Sequence, residues 1–387
     1  MRRRLMAWGT AVAVLAGVPT ATGFVFEPRR ASFSYLFAFT YVFTLVIGAL
    51  FVLLSHHASD AGWFVAVRRL SEHVVGAFPL VVILLIPVLV WSRQLYPWTN
   101  PSALDPHARE LIARKSAWLN EPFFILRSIF YCAFLLVFCE LLRSWSLRQD
   151  RDASAAESLH RRMVALSAGG LFFVALVLTL AAFDWLMSLE PTWFSDVYGV
   201  YIFAGGYVSA LGLFGAMAVF AKKRGELPSG VSPEHFSAVG RLELAMVIFW
   251  TYIGWAQLML QWVADMPLEV TWYLARWRGG WQWFGFALLL AHWAIPFFWL
   301  LQRGLKRRAL PFLAINVWLV AVHLLDVYYL VLPALEPGHF YVHWLDVTAV
   351  LSLSAATLAF GAWRARGTAP YPRHDPLLAE SLHYEEA

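Results

Sequence analysis

Apolar positions along this chain do not alternate with polar ones at a surface-helix or strand period. They run in long blocks separated by short polar segments. Blocks of roughly 18–20 apolar residues are what a helix needs to cross a bilayer. The pattern predicts ten such spans: Leu5–Phe26, Phe33–Leu54, Val74–Trp91, Phe123–Leu142, Met163–Phe183, Val197–Phe220, Leu242–Ala264, Trp281–Leu301, Leu310–Val331 and Trp344–Trp363. The expected class is therefore all-α, a polytopic integral membrane protein with one transmembrane domain over residues 1–363. The first block, "MRRRLMAWGTAVAVLAGVPTATG", has the basic start and apolar middle of a signal peptide. Its long apolar stretch and the lack of a clear A-x-A site favour a retained helix.

Most connections are short, and the longest is Ser92–Pro122. That loop holds "YPWTNPSALDPH", rich in turn residues, then "ARELIARKSAWLN", whose pattern predicts a short amphipathic helix on the membrane surface. The tail from Arg364 to Ala387, "RARGTAPYPRHDPLLAESLHYEEA", is polar and proline-containing, and reads as extended or disordered.

Composition supports the same class. Of 387 residues 60% are hydrophobic and 14% charged, against about a quarter charged in soluble domains. The formal net charge of +5 would suit nucleic acid, but no basic block carries interleaved polar or aromatic residues outside the spans. The positive charge instead reports topology. Counted on alternate sides of the spans, Lys and Arg number 21 on the side of the two termini and 8 on the other. The excess of basic residues on the cytoplasmic side predicts that both termini are cytoplasmic. Cys132 and Cys139 lie seven apart in one apolar block, about 10 Å of helix rise, too far for a disulfide. No CxxC occurs, so no iron–sulfur or structural zinc site is encoded.

The outer connection "AAFDWLMSLEPTWFSD", residues 181–196, carries Asp184, Glu190 and Asp196 and no base. The missing positive charge is topological. Trp185 and Trp193 suit an interface belt and Pro191 a turn. The surplus of acids calls for another reason. Charged and polar residues inside spans are costly and are candidates for function. Arg127 reads either as snorkelling to the interface or as pairing with an acid of a neighbouring helix. Glu140 is expected to pair locally with Arg143, and Glu243 with Arg241. His292 sits mid-span, four residues before Pro296, and suits a proton relay, a quinone contact or haem ligation, or else a buried histidine bonded to the carbonyl that the proline frees. His323 and Asp326 are three apart and share a helix face, as do His343 and Asp346 on the next span, where His339 lies just before them. With Asp184, Glu190, Asp196, Asp265 and Glu269 they form an outer rim of acids and imidazoles, suited to proton release or to docking a partner. A His292–His323 haem pair is conceivable, but two stacked haems would need four ligands. No nucleotide loop or nucleophile–base motif is present, so catalysis by this chain alone is not supported.

The stretch "FDWLMSLEPTWFSDVYGVYIFAGGYVSAL", Phe183–Leu211, resembles the signature region of a family of membrane subunits, the smaller quinone-related ones of alternative complex III, a bacterial quinol:cytochrome c oxidoreductase. It is also similar to the NrfD-like membrane subunits of polysulfide reductase. "GWFVAVRRLSE" with Trp63, Arg68, Arg69 and Glu72 agrees. So do "KSAWLNEPFFILRSIFY" with Lys115, Asn120, Phe123, Arg127 and Tyr131, "AHWAIPFFWLLQRGLKRR" with His292, Pro296 and Lys306, and "HWLD" with His343 and Asp346. The resemblance spans essentially the whole chain. It implies two four-helix bundles, about 33–183 and 197–331, flanked by the first and last helices, with a cytoplasmic tail over 364–387. It implies a bacterial inner-membrane complex with a sister NrfD-like subunit, an iron–sulfur subunit and c-type haem subunits. Menaquinol or ubiquinol would be oxidised there, and the clusters and haem c belong to the partners. This chain would have no redox centre of its own, its role open between proton conduction, quinone binding and scaffolding. On that expectation Asp184, His292, His323, Asp326, His343 and Asp346 form or border a polar path, while Glu190, Asp196, Asp265, Glu269 and Arg127 serve docking. The rivals are an ion- or substrate-coupled transporter, a cytochrome b-like haem subunit and a purely structural anchor.

Overall fold

Two helices that expose almost no side chain to lipid organise the rest. A computed structural model describes residues 2–265 and 270–385, and among these no strand occurs. Ten helices are long and apolar enough to span a membrane. Spans one to five are Arg3–Phe26, Pro28–Ala58, Gly62–Val90, Glu121–Gln149 and Ala153–Leu189; spans six to ten are Tyr198–Lys223, Pro233–Ala264, Trp281–Leu301, Ala309–Ala334 and Trp344–Arg364. The chain is an all-α polytopic membrane protein.

Spans two and six are the most buried. Span two packs against spans three, five, six, nine and ten, and span six against five, seven and nine. Their own contact is close because Gly48 faces Gly206, where a Cβ on Gly48 would collide with the Gly206 carbonyl. In lipid there is no water to drive helices together, so backbones held close by small residues supply the packing. Spans four and five pair along their lengths, and span one lies along span ten. Span one exposes Trp8, Leu15, Val18, Val25 and Phe26 on its other face, as a lipid-facing helix would.

Three expectations are corrected. Span three begins at Gly62, not Val74, and is interrupted near Gly76 and Leu85. Its first turns carry Arg68, Arg69 and Glu72, all buried, and these charges hid the helix from the hydropathy pattern. Trp185 and Trp193 do not sit in an interface belt. Both are buried, Trp185 donating to the Ser128 hydroxyl (2.9 Å) and Trp193 stacked on Trp272. The tail lacks regular structure for much of its length but is not free. His374 bonds the Gln149 carbonyl (3.0 Å), and the Ser381 hydroxyl bridges Trp63 O (2.8 Å) and Ala66 N (3.0 Å). The short helix expected in the Ser92–Pro122 loop is present as Pro106–Arg114, capped by Asp105 accepting from Ala108 N (2.9 Å).

Candidate functional site

Spans two, six, seven, eight and nine converge on one carboxylate. Asp326 of span nine is 1% exposed. Its Oδ1 accepts from the Tyr201 hydroxyl of span six (2.7 Å), and its Oδ2 from the Trp250 indole of span seven (3.2 Å). No lysine or arginine pairs with it among the described residues. Within ion-pair range of it stands His323, one helical turn back, with Nδ1 3.8 Å from Oδ2. The other ring nitrogen, Nε2, lies 2.8 Å from the Thr44 hydroxyl of span two. Gly205 of span six lets both side chains lie flat against that helix, since a Cβ there would stand 3.0 Å from Asp326 Oδ2.

Proton counting shows what this arrangement requires. The Thr44 hydroxyl has one proton and lies within bonding distance of the Thr40 carbonyl (2.8 Å) as well as of His323. Donated to the carbonyl, as Thr hydroxyl protons in helices commonly are, it leaves Thr44 as acceptor and His323 Nε2 as the N–H. Nδ1 then presents a lone pair to Asp326. Two lone pairs facing each other in an apolar interior repel unless a proton lies on one of them. The alternative, Thr44 donating to Nε2, puts the N–H at Nδ1, toward the carboxylate. In both arrangements His323 Nδ1 faces Asp326 Oδ2 at 3.8 Å without a hydrogen bond among the described residues.

His292 completes the cluster from span eight. It is fully buried, its ring 4.0 Å from that of Trp250, and neither ring nitrogen has a hydrogen-bond partner among the described residues. Its helix locally widens to π geometry over Leu290–Ala294, with Ile295 N bonding Leu290 O. At that spacing the amide due to reach Ala291 O belongs to residue 296, a proline with no N–H. The indole of Trp318 in span nine donates to Ala291 O instead (2.8 Å). The carbonyl that was the alternative partner for His292 is thus taken. An imidazole left unbonded in an apolar interior costs about 1–3 kcal/mol, and single π-turns are frequent at functional sites.

The remaining candidates lie elsewhere. Asp184, 1% exposed, is closed by four donors: Arg127 Nε (2.7 Å) and Nη2 (2.8 Å), the Tyr131 hydroxyl (2.9 Å) and the Trp118 indole (2.9 Å). The Arg127 guanidinium also lies over the Trp118 and Phe123 rings, 4.0 and 4.2 Å from their centroids. Of the two readings of Arg127, pairing across helices is the one observed, and Arg127 is buried rather than presented at a surface. Asp346 joins spans two, nine and ten. It pairs with Arg30 and accepts from the Ser34 hydroxyl (2.6 Å), the Tyr328 hydroxyl (3.3 Å) and the His343 amide (2.9 Å). His343 is the N-cap of span ten, its Nε2 3.7 Å from Glu27. The six polar-path candidates thus fall into three separate clusters: Asp184 alone, His343 with Asp346, and His292 with His323 and Asp326.

Among the docking candidates, Glu190 is drawn inward to Arg276 (2.9 Å), whose guanidinium is stacked 3.6 Å over Trp272. Asp196 and Asp265 are exposed, and Glu269 lies outside the described residues. Glu140 pairs with Arg364 of span ten (2.7 Å), not with Arg143, whose guanidinium donates to the Arg364 carbonyl. Glu243 makes no bond to Arg241; it is fully buried with Lys306 as its neighbouring charge, because its helix face turns inward.

A search of known protein families and of curated proteins finds no match to this chain. Its chemistry therefore has to be argued from its own residues. Sequence reading missed Thr44, Tyr201 and Trp250, because a threonine and two aromatics inside apolar helices carry no signal. It also passed over a charge network at the end of the molecule that carries the termini. There Arg68 bonds Glu72 (2.9 Å) and Asp375 (2.7 Å), while Arg69 bonds Glu72 (2.8 Å) and Asp150 (2.7 Å). Burial opposes the charge on Asp375, yet Arg68 and the His160 contact outweigh it and hold this carboxyl below the usual range.

Proposed function

We propose that this chain is a membrane subunit of a bacterial respiratory quinol:cytochrome c oxidoreductase of the alternative complex III type, and that its His323–Asp326 pair carries an exchangeable proton. The observation that supports the second half is the buried Asp326, bonded by two aromatic donors and faced by His323 Nδ1, with no fixed cation. A scaffold would satisfy that carboxylate fully, as Asp184 is satisfied. A relay leaves it one proton short of a full set of bonds. His292, with two unbonded nitrogens beside Trp250, is the adjoining station. The first half rests on the motif resemblance from Trp63 to Asp346. In this reading quinol is oxidised and electrons are carried by the sister, iron–sulfur and haem c subunits, while this chain binds no redox group. The 21-to-8 distribution of basic residues supports cytoplasmic termini, and a complex of this type would lie in the bacterial inner membrane.

The test has two steps. A tagged copy is recovered from its native membrane in mild detergent. Co-recovery of an iron–sulfur protein, a multihaem c-type protein and a second polytopic subunit is expected. Then Asp326→Asn is assayed in the recovered complex for proton release during quinol oxidation. Release should fall while the subunit composition is unchanged. Undiminished release in an intact Asp326→Asn complex would remove this pair from the path.

One observation favours a second reading. Spans three and eight are both interrupted within the membrane, and secondary transporters bind cargo at such breaks. Recovery of the tagged chain alone would promote that reading.

A further inference from the structure

A cavity of about 670 Å³ opens among spans one, two, three, six, nine and ten, on the half of the molecule that carries the termini. Its size falls within the roughly 300–1,000 Å³ of ligand sites. Its walls are apolar, with Val46, Leu213, Leu324 and Val350 among the side chains. At its deep end stands Tyr41, whose hydroxyl is committed to the Val320 carbonyl (3.2 Å) and whose ring separates the cavity from His323. Its mouth is marked by Arg224 and Glu226. Along span six, eleven residues separate Leu213 from Arg224. At 1.5 Å per residue that is about 16 Å, or half of the roughly 30 Å hydrocarbon core. The cavity therefore has the depth of one leaflet.

The mouth has both signs of charge. Span six ends in a turn where Gly225 N bonds Lys222 O (3.0 Å) and Glu226 N bonds Ala221 O (3.0 Å). These two bonds satisfy terminal carbonyls in the Schellman manner and fix Arg224 and Glu226 on either side of Gly225. Neither side chain is hydrogen-bonded or ion-paired among the described residues. Deeper in the shaft, ten residues before Arg364 on span ten, the wall carries Ser354, whose hydroxyl is buried with no partner among the described residues.

We propose that this cavity is a binding site for one zwitterionic phospholipid of the ethanolamine class from the leaflet on that side. An acyl chain fills the apolar shaft, Arg224 meets the phosphate and Glu226 meets the ammonium. A prenyl quinone suits the shaft but not the mouth. Its neutral ring would leave two opposite charges at the mouth unanswered. The site is separate from the His323–Asp326 pair, with the Tyr41 ring between them.

The purified full-length chain, stripped of loosely held lipid, is offered equimolar phosphatidylethanolamine and phosphatidylglycerol of matched acyl chains, and the retained lipid is read by native mass spectrometry. One phosphatidylethanolamine should be retained, favoured by about fivefold, the effect of roughly one charge contact at a membrane surface. Glu226→Gln should erase that preference, and Arg224→Gln should weaken retention of both lipids. Leu213→Trp, which fills the shaft, should abolish retention. The two loop variants leave the helices untouched, so they decide the matter even where Leu213→Trp fails to fold. Equal retention of the two lipids by the unaltered chain, or a preference unmoved by Glu226→Gln, would overturn the proposal. So would a quinone that co-purifies in place of phospholipid and is lost in Leu213→Trp.

Discussion

Asp184 is the place where a structural carboxylate can be told from a working one. Truncating it to alanine strands the Arg127 guanidinium, itself only 6% exposed, and removes the acceptor of four hydrogen bonds. Breaking a buried ion pair from one side costs about 3–5 kcal/mol, because the surviving charge stays desolvated. Removing both charges together with well-packed apolar replacements is close to neutral. Asp184→Ala should therefore lose about 3–5 kcal/mol. With the per-residue unfolding entropy of globular proteins, that lowers the melting midpoint by on the order of 5 °C. The double replacement Arg127→Met with Asp184→Leu should recover most of it. The chain supplies its own reporter, since Cys132 and Cys139 are buried free thiols on span four, the helix that carries Arg127 and Tyr131. A thiol-reactive dye in detergent follows their exposure during a thermal ramp, and the parent, Arg127→Met, Asp184→Leu and the double variant form the cycle that gives the coupling. A single variant within about 1 kcal/mol of the parent would refute the clamp, as would a double variant no better than Asp184→Ala.

His292 makes no hydrogen bond, so His292→Leu should be neutral or slightly stabilising in the same thermal assay while lowering proton release in the assembled complex; a loss above about 2 kcal/mol would expose a bond the reasoning lacks. Gly205→Ala pushes a methyl against Asp326 and His323 and should cost about 1–3 kcal/mol, whereas alanine at the exposed Gly304, which faces open space, should stay within about 0.5 kcal/mol. The Asp375 carboxyl is held below its ordinary range, so the stability it lends to tail docking is fully present above the unfolded carboxylate value of about 4 and is lost as pH falls through the lower folded value. Hydrogen exchange of residues 373–382 should therefore stay protected at pH 5 and open only under stronger acid; opening near pH 6 would contradict this. Asp375→Asn should open the same segment at neutral pH, leaving the transmembrane helices protected.

The sequence alone determined the class. Ten apolar blocks, few charges and the skew of basic residues demand helices across a bilayer, since only closed backbone hydrogen bonding is tolerated in hydrocarbon. It also pointed to residues that are expensive to bury, and His292, His323 and Asp326 were legible for that reason. Which of the six candidates meet was decided by tertiary structure. Three-residue spacing puts His323 with Asp326 and His343 with Asp346, but helix spacing says nothing about the neighbour across the gap. Asp346 meets Arg30, more than 300 residues away in sequence, and becomes a tie. Asp326 meets Tyr201 and Trp250 and has no lysine or arginine partner among the described residues. The same holds for Arg68, Arg69 and Glu72, which read as loop charges because hydropathy sums residues one by one. Their burial is tolerated only because each cation finds its acid from another segment, Asp375 and Asp150 among them, and pairing at such distance along the chain exists only once the helices have packed.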